Sequence, residues 1–232
     1  MKTFGYLKLH NLLPALATFA LAGACSADTL TIVNANFAAV PVACQTGYAY
    51  QTSGADCSSG PVQDFNANSA TGWTFGGGAG LTAPSTAFNP PDFAGLFSQA
   101  AFLQGAGSSV SQLVNGFLDS ETYKASFYLG SRFNDSNDGN QTVTVLIDNI
   151  AVGQYALSSS TPFSLITTDS FSVAAGAHNL TFAGSAEGDH TAFFSGVSLA
   201  GEAAPAPEPA TSALIAAGLI GIGATARRKR RA

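Results

Sequence analysis

Few side chains in this chain can do chemistry. Beyond His10, the imidazoles are His178 and His190. His190 follows Asp189, whereas His178 opens an alternating stretch and is expected to face solvent. A Ser-His-Asp set can be assembled on paper because serine is abundant, but no G-x-S-x-G nucleophile elbow exists. A glycosidase needs two carboxylates across a cleft. The acids in the first-half loops keep a polysaccharide hydrolase as the alternative reading. The stretch "FNDSNDGNQ" (133–141) has the composition of a calcium loop. A Ser at its third ligand position and the missing closing Glu break the EF-hand spacing. No cofactor is expected; if a structural calcium ion is held, Asp189 is the candidate ligand. Tyr48, Tyr50 and Trp73 are the candidates for stacking on a sugar ring, although a Gly-Trp strand more often buries its indole. Cys44 and Cys57 are expected to form a disulfide across a long loop, as suits an exported protein.

The elements that must position these residues read as strands. In "TYKASFYL", Tyr123, Ala125, Phe127 and Leu129 fall on one face. In "QTVTVLID", Val143, Val145 and Ile147 do the same, and Asp148-Asn149 forms a tight turn into Ile150 and Val152. Further strands are expected over 29–34, 93–103, 110–114, 163–166, 171–173, 180–182 and 193–199. Residues 41–92 are rich in Gly, Ser, Asn and Pro, and are expected to form long loops with little regular structure. Short, evenly spaced strands indicate an all-β sandwich.

Charge divides the chain into a body and two ends. Net charge is −5, but between Asp28 and Gly201 only Lys124 and Arg132 stand against twelve acids, a net of −10. An acidic body excludes nucleic acid, whose phosphates need a basic face. At the N-terminus, Lys2 and Lys8, an apolar run from Leu12 to Ala24 and the small residues Cys25-Ser26-Ala27 have the order of a secretory signal peptide, 1–27. Cleavage after Ala24, and lipidation of Cys25, remain open. The Sec translocon and signal peptidase are the implied partners. At the other end, residues 210–226 are uncharged and mostly apolar, about 25 Å long as a helix, short for a membrane span. Arg227, Arg228, Lys229, Arg230 and Arg231 follow, and basic residues stay on the cytoplasmic side.

Pro207-Glu208-Pro209, the short apolar helix and the arginine-rich end together resemble the PEP-CTERM sorting signal of Gram-negative bacteria that make exopolysaccharide. The resemblance implies that Pro207, Glu208 and Pro209 are read by exosortase, a membrane-embedded enzyme thought to cleave nearby. The chain would then pass transiently through the inner membrane and reach the cell surface or biofilm matrix. The body resembles the galactose-binding-like jelly rolls, through "NANF" (34–37), "TGWTFGGGAG" (71–80), "SSVSQLV" (108–114), "YKASFYLGSRF", "HNLTFAG" and "DHTAFFSGVSL". Where that family commonly carries an Asp pair in its last strand, Ser195 and Gly196 stand here. The organisation expected is a signal peptide (1–27), a jelly-roll β-sandwich (28–201), a linker with the Pro-Glu-Pro motif (202–209), a transmembrane sorting helix (210–226) and a basic tail (227–232). The function expected is non-enzymatic: binding extracellular polysaccharide or building the matrix.

Overall fold

The computed structural model describes residues 28–39, 47–50, 69–70, 72–86, 88–133 and 138–203. The signal peptide, Cys44, Cys57, the Pro-Glu-Pro motif, the sorting helix and the basic tail lie outside them.

The described residues form two antiparallel sheets and no helix. The thirteen strands are β1 (Asp28–Leu30), β2 (Tyr48–Tyr50), β3 (Ser69–Ala70), β4 (Trp73–Gly76), β5 (Ala79–Thr82), β6 (Ala100–Gln104), β7 (Ser109–Phe117), β8 (Glu121–Ser131), β9 (Thr142–Ile147), β10 (Ile150–Ala156), β11 (Ser164–Thr167), β12 (Gly176–Gly184) and β13 (Thr191–Ala203). Sheet A runs β11-β8-β13-β6-β5-β2, with β1 added to β13, and sheet B runs β10-β9-β12-β7-β4-β3.

Alternation decides which side chains fill the space between the sheets. Tyr123, Ala125, Phe127 and Leu129 of β8 are all buried, as are Val143, Val145 and Ile147 of β9. They meet Phe182 and Phe194, whose rings stack 4.2 Å apart at the centre of the core. Asp148 and Asn149 both take positive φ (48° and 68°), the backbone that a two-residue hairpin turn demands.

The opening segment is held by side chains. Gln112 of β7 accepts from the Val33 amide (2.8 Å) and donates to the Val33 (2.9 Å) and Gly72 (3.0 Å) carbonyls. The Trp73 indole donates to the Asn34 carbonyl (3.1 Å), and Phe37 packs on that indole, centroids 5.0 Å apart. The residues carrying the family resemblance here thus act as a lock on the fold. In the last strand, Gly196 (φ 63°) sits in a bulge between Ser195 and Ser198, and Ser195 Oγ donates to the Gln99 carbonyl.

Several expectations need correction. The 41–92 region contributes β2, β3, β4 and β5, because Tyr48, Tyr50, Trp73, Phe75 and Leu81 supply enough apolar surface to pair despite the glycines around them. The 93–103 strand begins only at Ala100. Phe93 and Phe97 sit in a turn, with the Phe97 amide donating to the Phe93 carbonyl. The 171–173 strand reduces to a bridge between Phe171 and Tyr123, and β1 stops at Leu30.

Part of sheet A is buried on both faces. Residues 88–99 lie over its outer side, where Phe88 and Phe93 form a second cluster with Ala100, Phe102 and Phe193. The outward row Gly80–Phe102–Phe193–Gly130 alternates flat rings with positions that have no side chain. A Cβ on Gly130 would lie 2.8 Å from Pro91 and 2.9 Å from Phe163. Glycine there lets the cover approach.

Candidate functional site

Where this cover ends, a polar tray begins. Tyr48 and Tyr50 are half-buried on the outward face of edge strand β2. Tyr48 stacks on Phe88 (4.8 Å, 15°), and Tyr50 meets Phe102 edge-on at 5.1 Å. Tyr50 pairs directly with Gly80, and its phenol donates to Gln104 Oε1. Gln104 Nε2 donates to Asp189, whose other oxygen accepts from Arg132 Nη1 at 2.9 Å. Arg132 also lies 3.9 Å from Asp138, and its guanidinium sits 5.0 Å above the Phe88 ring.

Strand register brings these residues together. Gln104 pairs with Thr191 across β6 and β13, and the Arg132 amide donates to the Thr191 carbonyl. Gln104, Thr191 and Arg132 therefore form a row beside the buried phenylalanine row. Two buried polar atoms in this region have no partner among the described residues, Thr191 Oγ1 and Arg132 Nε. Burial raises the Tyr50 phenol above its ordinary pKa, and the nearby Asp189 adds to this, so Tyr50 is a neutral hydroxyl at physiological pH.

Of the residues singled out in the sequence, Tyr48, Tyr50 and Asp189 meet here. Trp73 does not: it is 1% exposed in the core, with its N–H occupied, and offers no face to a sugar. Asp189 is held within the tray. Its two oxygens are engaged by Arg132 and Gln104, and a cation ligand beside a guanidinium would be opposed by charge. Among the described residues no group of three His, Cys, Asp or Glu side chains could hold a metal ion. The reading of 133–141 as a calcium loop lies partly outside the described residues; Asp138 within it faces Arg132. Sequence reasoning missed Gln104 and Arg132. The signal available was that Arg132 is one of only two cations in the body.

His178 is also corrected. Its side chain is 14% exposed, its Nδ1 lies 2.5 Å from Asp148 Oδ2, and its Nε2 lies 2.8 Å from the Ala174 carbonyl. The ring edge meets Phe117 at 5.0 Å. The hydrogen bond to Asp148 raises the imidazole pKa, with help from Ala174. Asp148 is lowered, first by the Asn179 amide and then by His178. With an acceptor at each ring nitrogen, this His–Asp pair has no free nitrogen to serve as a general base. Beside it, a groove of about 280 Å³ runs between the β9–β10 hairpin (Ile147, Ile150, Val152) and the segment Asp169–Val173.

Residues 205–231 match the PEP-CTERM protein-sorting motif. That match supports an exported chain processed at the membrane as an exosortase substrate. No curated protein matches the chain. Among solved structures, the Stig cyclase Fisc from Fischerella sp. TAU, in complex with (3Z)-3-(1-methyl-2-pyrrolidinylidene)-3H-indole, is 15% identical with a TM-score of 0.53. The superposition covers 78% of this chain and 100% of that one. A second cyclase structure from Fischerella sp. TAU gives 15% identity and a TM-score of 0.51 over the same shares. A carbohydrate-binding module of type CBM36, in complex with calcium and xylotriose, is 17% identical, covers 47% of this chain and 82% of its own, and reaches a TM-score of 0.34. The cyclase likenesses are of fold alone, and the last is too slight to bear on a ligand. What the residues establish is a two-sheet antiparallel sandwich followed by a sorting motif of the PEP-CTERM type.

Proposed function

We propose that this chain is a jelly-roll protein delivered by exosortase to the cell surface or extracellular matrix, where it binds polysaccharide without turning it over. The observation that carries the binding half is the tray at the β2 edge. It sets two tyrosines beside a continuous run of sugar-competent polar groups, Tyr50, Gln104, Asp189 and Arg132. Aromatic faces supply apolar contact to a pyranose, and planar hydrogen-bonding groups fix its orientation. The sorting motif at 205–231 supports the delivery half. Export through the Sec translocon, with passage through the inner membrane, belongs to the same reading.

Within the tray, the arrangement of the described carboxylates favours binding over hydrolysis. A glycosidase sets one on either side of the scissile bond, about 5–9.5 Å apart. Here Asp138 and Asp189 both face one guanidinium, which fixes them as its counter-ions.

The test is affinity electrophoresis of the exported protein through gels containing extracellular polysaccharides, with reducing ends assayed in parallel. Retardation without new reducing ends is expected. Tyr50→Ala should weaken retention by roughly tenfold or more, the worth of a well-placed aromatic contact. Release of reducing ends that is abolished by a single carboxylate substitution in the first-half loops would replace this reading with the hydrolase.

A further inference from the structure

Glu121, the first residue of β8, is 8% exposed, and its Oε2 is buried with no partner among the described residues. Strand register shows what surrounds it. Gly201 of β13 pairs with Tyr123 of β8 on one side and with Asp28 of β1 on the other. A Cβ on Gly201 would collide with Glu121 Oε2, so this oxygen fills the space that a side chain there would take. Neighbouring strands lie about 5 Å apart, which leaves the orphaned oxygen about one strand spacing from the Asp28 backbone.

Two negative groups meet at this end of the sandwich. Burial holds the Tyr123 phenol above its ordinary pKa, and the carboxylates of Glu121 and Asp28 both add to this. The described cations are committed elsewhere. Lys124 pairs with Glu202 at 3.1 Å, Arg132 follows the far end of β8, and the ring nitrogens of His178 meet Asp148 and Ala174. A buried carboxylate oxygen calls for a donor, and a charged donor serves it best.

The chain can make such a donor when it is exported. The small residues Cys25-Ser26-Ala27 set a cleavage site directly before Asp28. Hydrolysis of the Ala27–Asp28 amide places the hydroxyl of water on the Ala27 carbonyl carbon and leaves the Asp28 nitrogen as an amine. An α-amine titrates at about 7.7–8.0, so at neutral pH it is mostly an ammonium, with three N–H donors where the uncut chain has a single amide hydrogen. That charge appears at the first residue of β1, a strand of three residues. A chain end so short frays unless it is tied down.

We infer that the mature chain starts at Asp28 and that its α-ammonium seats on Glu121 Oε2, tying β1 to the start of β8 across Gly201. The inference draws on export and stands apart from glycan binding.

The experiment reads the first residue of the exported protein from the mass of its N-terminal peptide. Its α-amine is then labelled with a limiting acid anhydride at pH 7, beside Glu121→Gln. Only the unprotonated amine reacts. The expected start is Asp28, with labelling at least about tenfold slower in the native chain than in the variant, as for an α-amine pKa higher by about one unit. Asp28, Tyr123, Asp119 and the Lys124–Glu202 and His178–Asp148 pairs, the other titratable groups at this end, are all kept in the variant. If Glu121→Gln fails to fold, a glycine inserted after Ala27, with the new start confirmed by mass, moves the amine one residue away and leaves Glu121 in place. Fast labelling of that chain supports the seat, and labelling as slow as in the native chain overturns it. A start at Cys25, free or acylated, would overturn the inference at its first step. Equal rates in the native chain and Glu121→Gln would overturn the seat while leaving the cleavage. Calcium that raises the melting temperature of the native chain but not of Glu121→Gln would overturn it in favour of a metal ion on the same oxygen.

Discussion

The two sheets share one core but treat their outer faces differently. Residues 88–99 roof part of sheet A, so the strands beneath them are apolar on both sides: β6 reads AAFL before its terminal Gln, and β13 carries Phe193 outward and Phe194 inward. Among the described residues sheet B has no such roof. Its outward row, Leu146–Thr181–Ser111–Thr74, carries short hydroxyls, and Leu113 stands 63% exposed beside it. Fully buried strands lose alternation and one-sided strands keep it. The difference also places the candidate site. A bare sheet offers a flat face, whereas the end of a roof leaves a step, and at that step Tyr50, Gln104, Arg132 and Asp189 meet.

The largest effect should come from the core that both sheets share. Phe182 stacks on Phe194 and also meets Phe127 at 5.0 Å, so Phe182→Ala removes a ring seated between the sheets. A loss of about 3–5 kcal/mol is expected in denaturant unfolding. A loss under about 1 kcal/mol would mean that the sheets are held chiefly by their edges.

The roof should give the next effect. Gly130→Ala puts a methyl group against Pro91 and Phe163, both on the outer side of sheet A. Overpacking of this kind costs about 1–3 kcal/mol. Measured against Leu113→Thr on the bare face, expected within about 0.5 kcal/mol, it separates a two-sided sheet from a one-sided one. Equal values for the two substitutions would show that residues 88–99 rest on sheet A without being packed to it.

Much of this contrast was legible where one physical rule acts alone. The strands β8 and β9 follow from alternation, and the Asp148-Asn149 turn from residues that tolerate positive φ. The roof was not, because an aromatic run such as "AAFLQ" extends naturally back to Phe93 when nothing local says that Phe93 and Phe97 fold over the sheet. The tray was half legible. Tyr48 and Tyr50 stand out as aromatics in a Gly- and Ser-rich stretch, but Gln104 and Arg132 reach them only through the order β5-β6-β13-β8, which is a property of topology. His178 failed for a related reason. Strand alternation gives its face, but the acceptor at its second nitrogen, Ala174, comes from a connection outside any strand.

The smallest effect tests a joint between the two sheets. Asp148 lies in the sheet B hairpin, and Ala174 ends a segment whose Phe171 pairs with Tyr123 of sheet A. Only a protonated His178 can donate to both, which is why its folded pKa is raised. That contribution is full below the unfolded imidazole value of about 6.5 and is lost as pH rises through the higher folded value. Asp148 is lowered, so its contribution holds above the ordinary carboxylate value of about 3.9 and is lost as pH falls through the depressed one. The joint is therefore strongest between about pH 4 and 6.5. Asp148 is 48% exposed, so solvent screens the pair and the effect falls below that of either substitution above. In His178→Gln one side-chain donor remains and no longer titrates. The melting temperature of the native chain minus that of the variant should shrink as pH rises from 6 through the folded imidazole value. Hydrogen exchange at the Phe171 amide, bonded to Tyr123 at 2.9 Å, should quicken over the same range. A difference that stays flat with pH would mean that His178 holds the two sheets by packing on Phe117, with its proton playing no part.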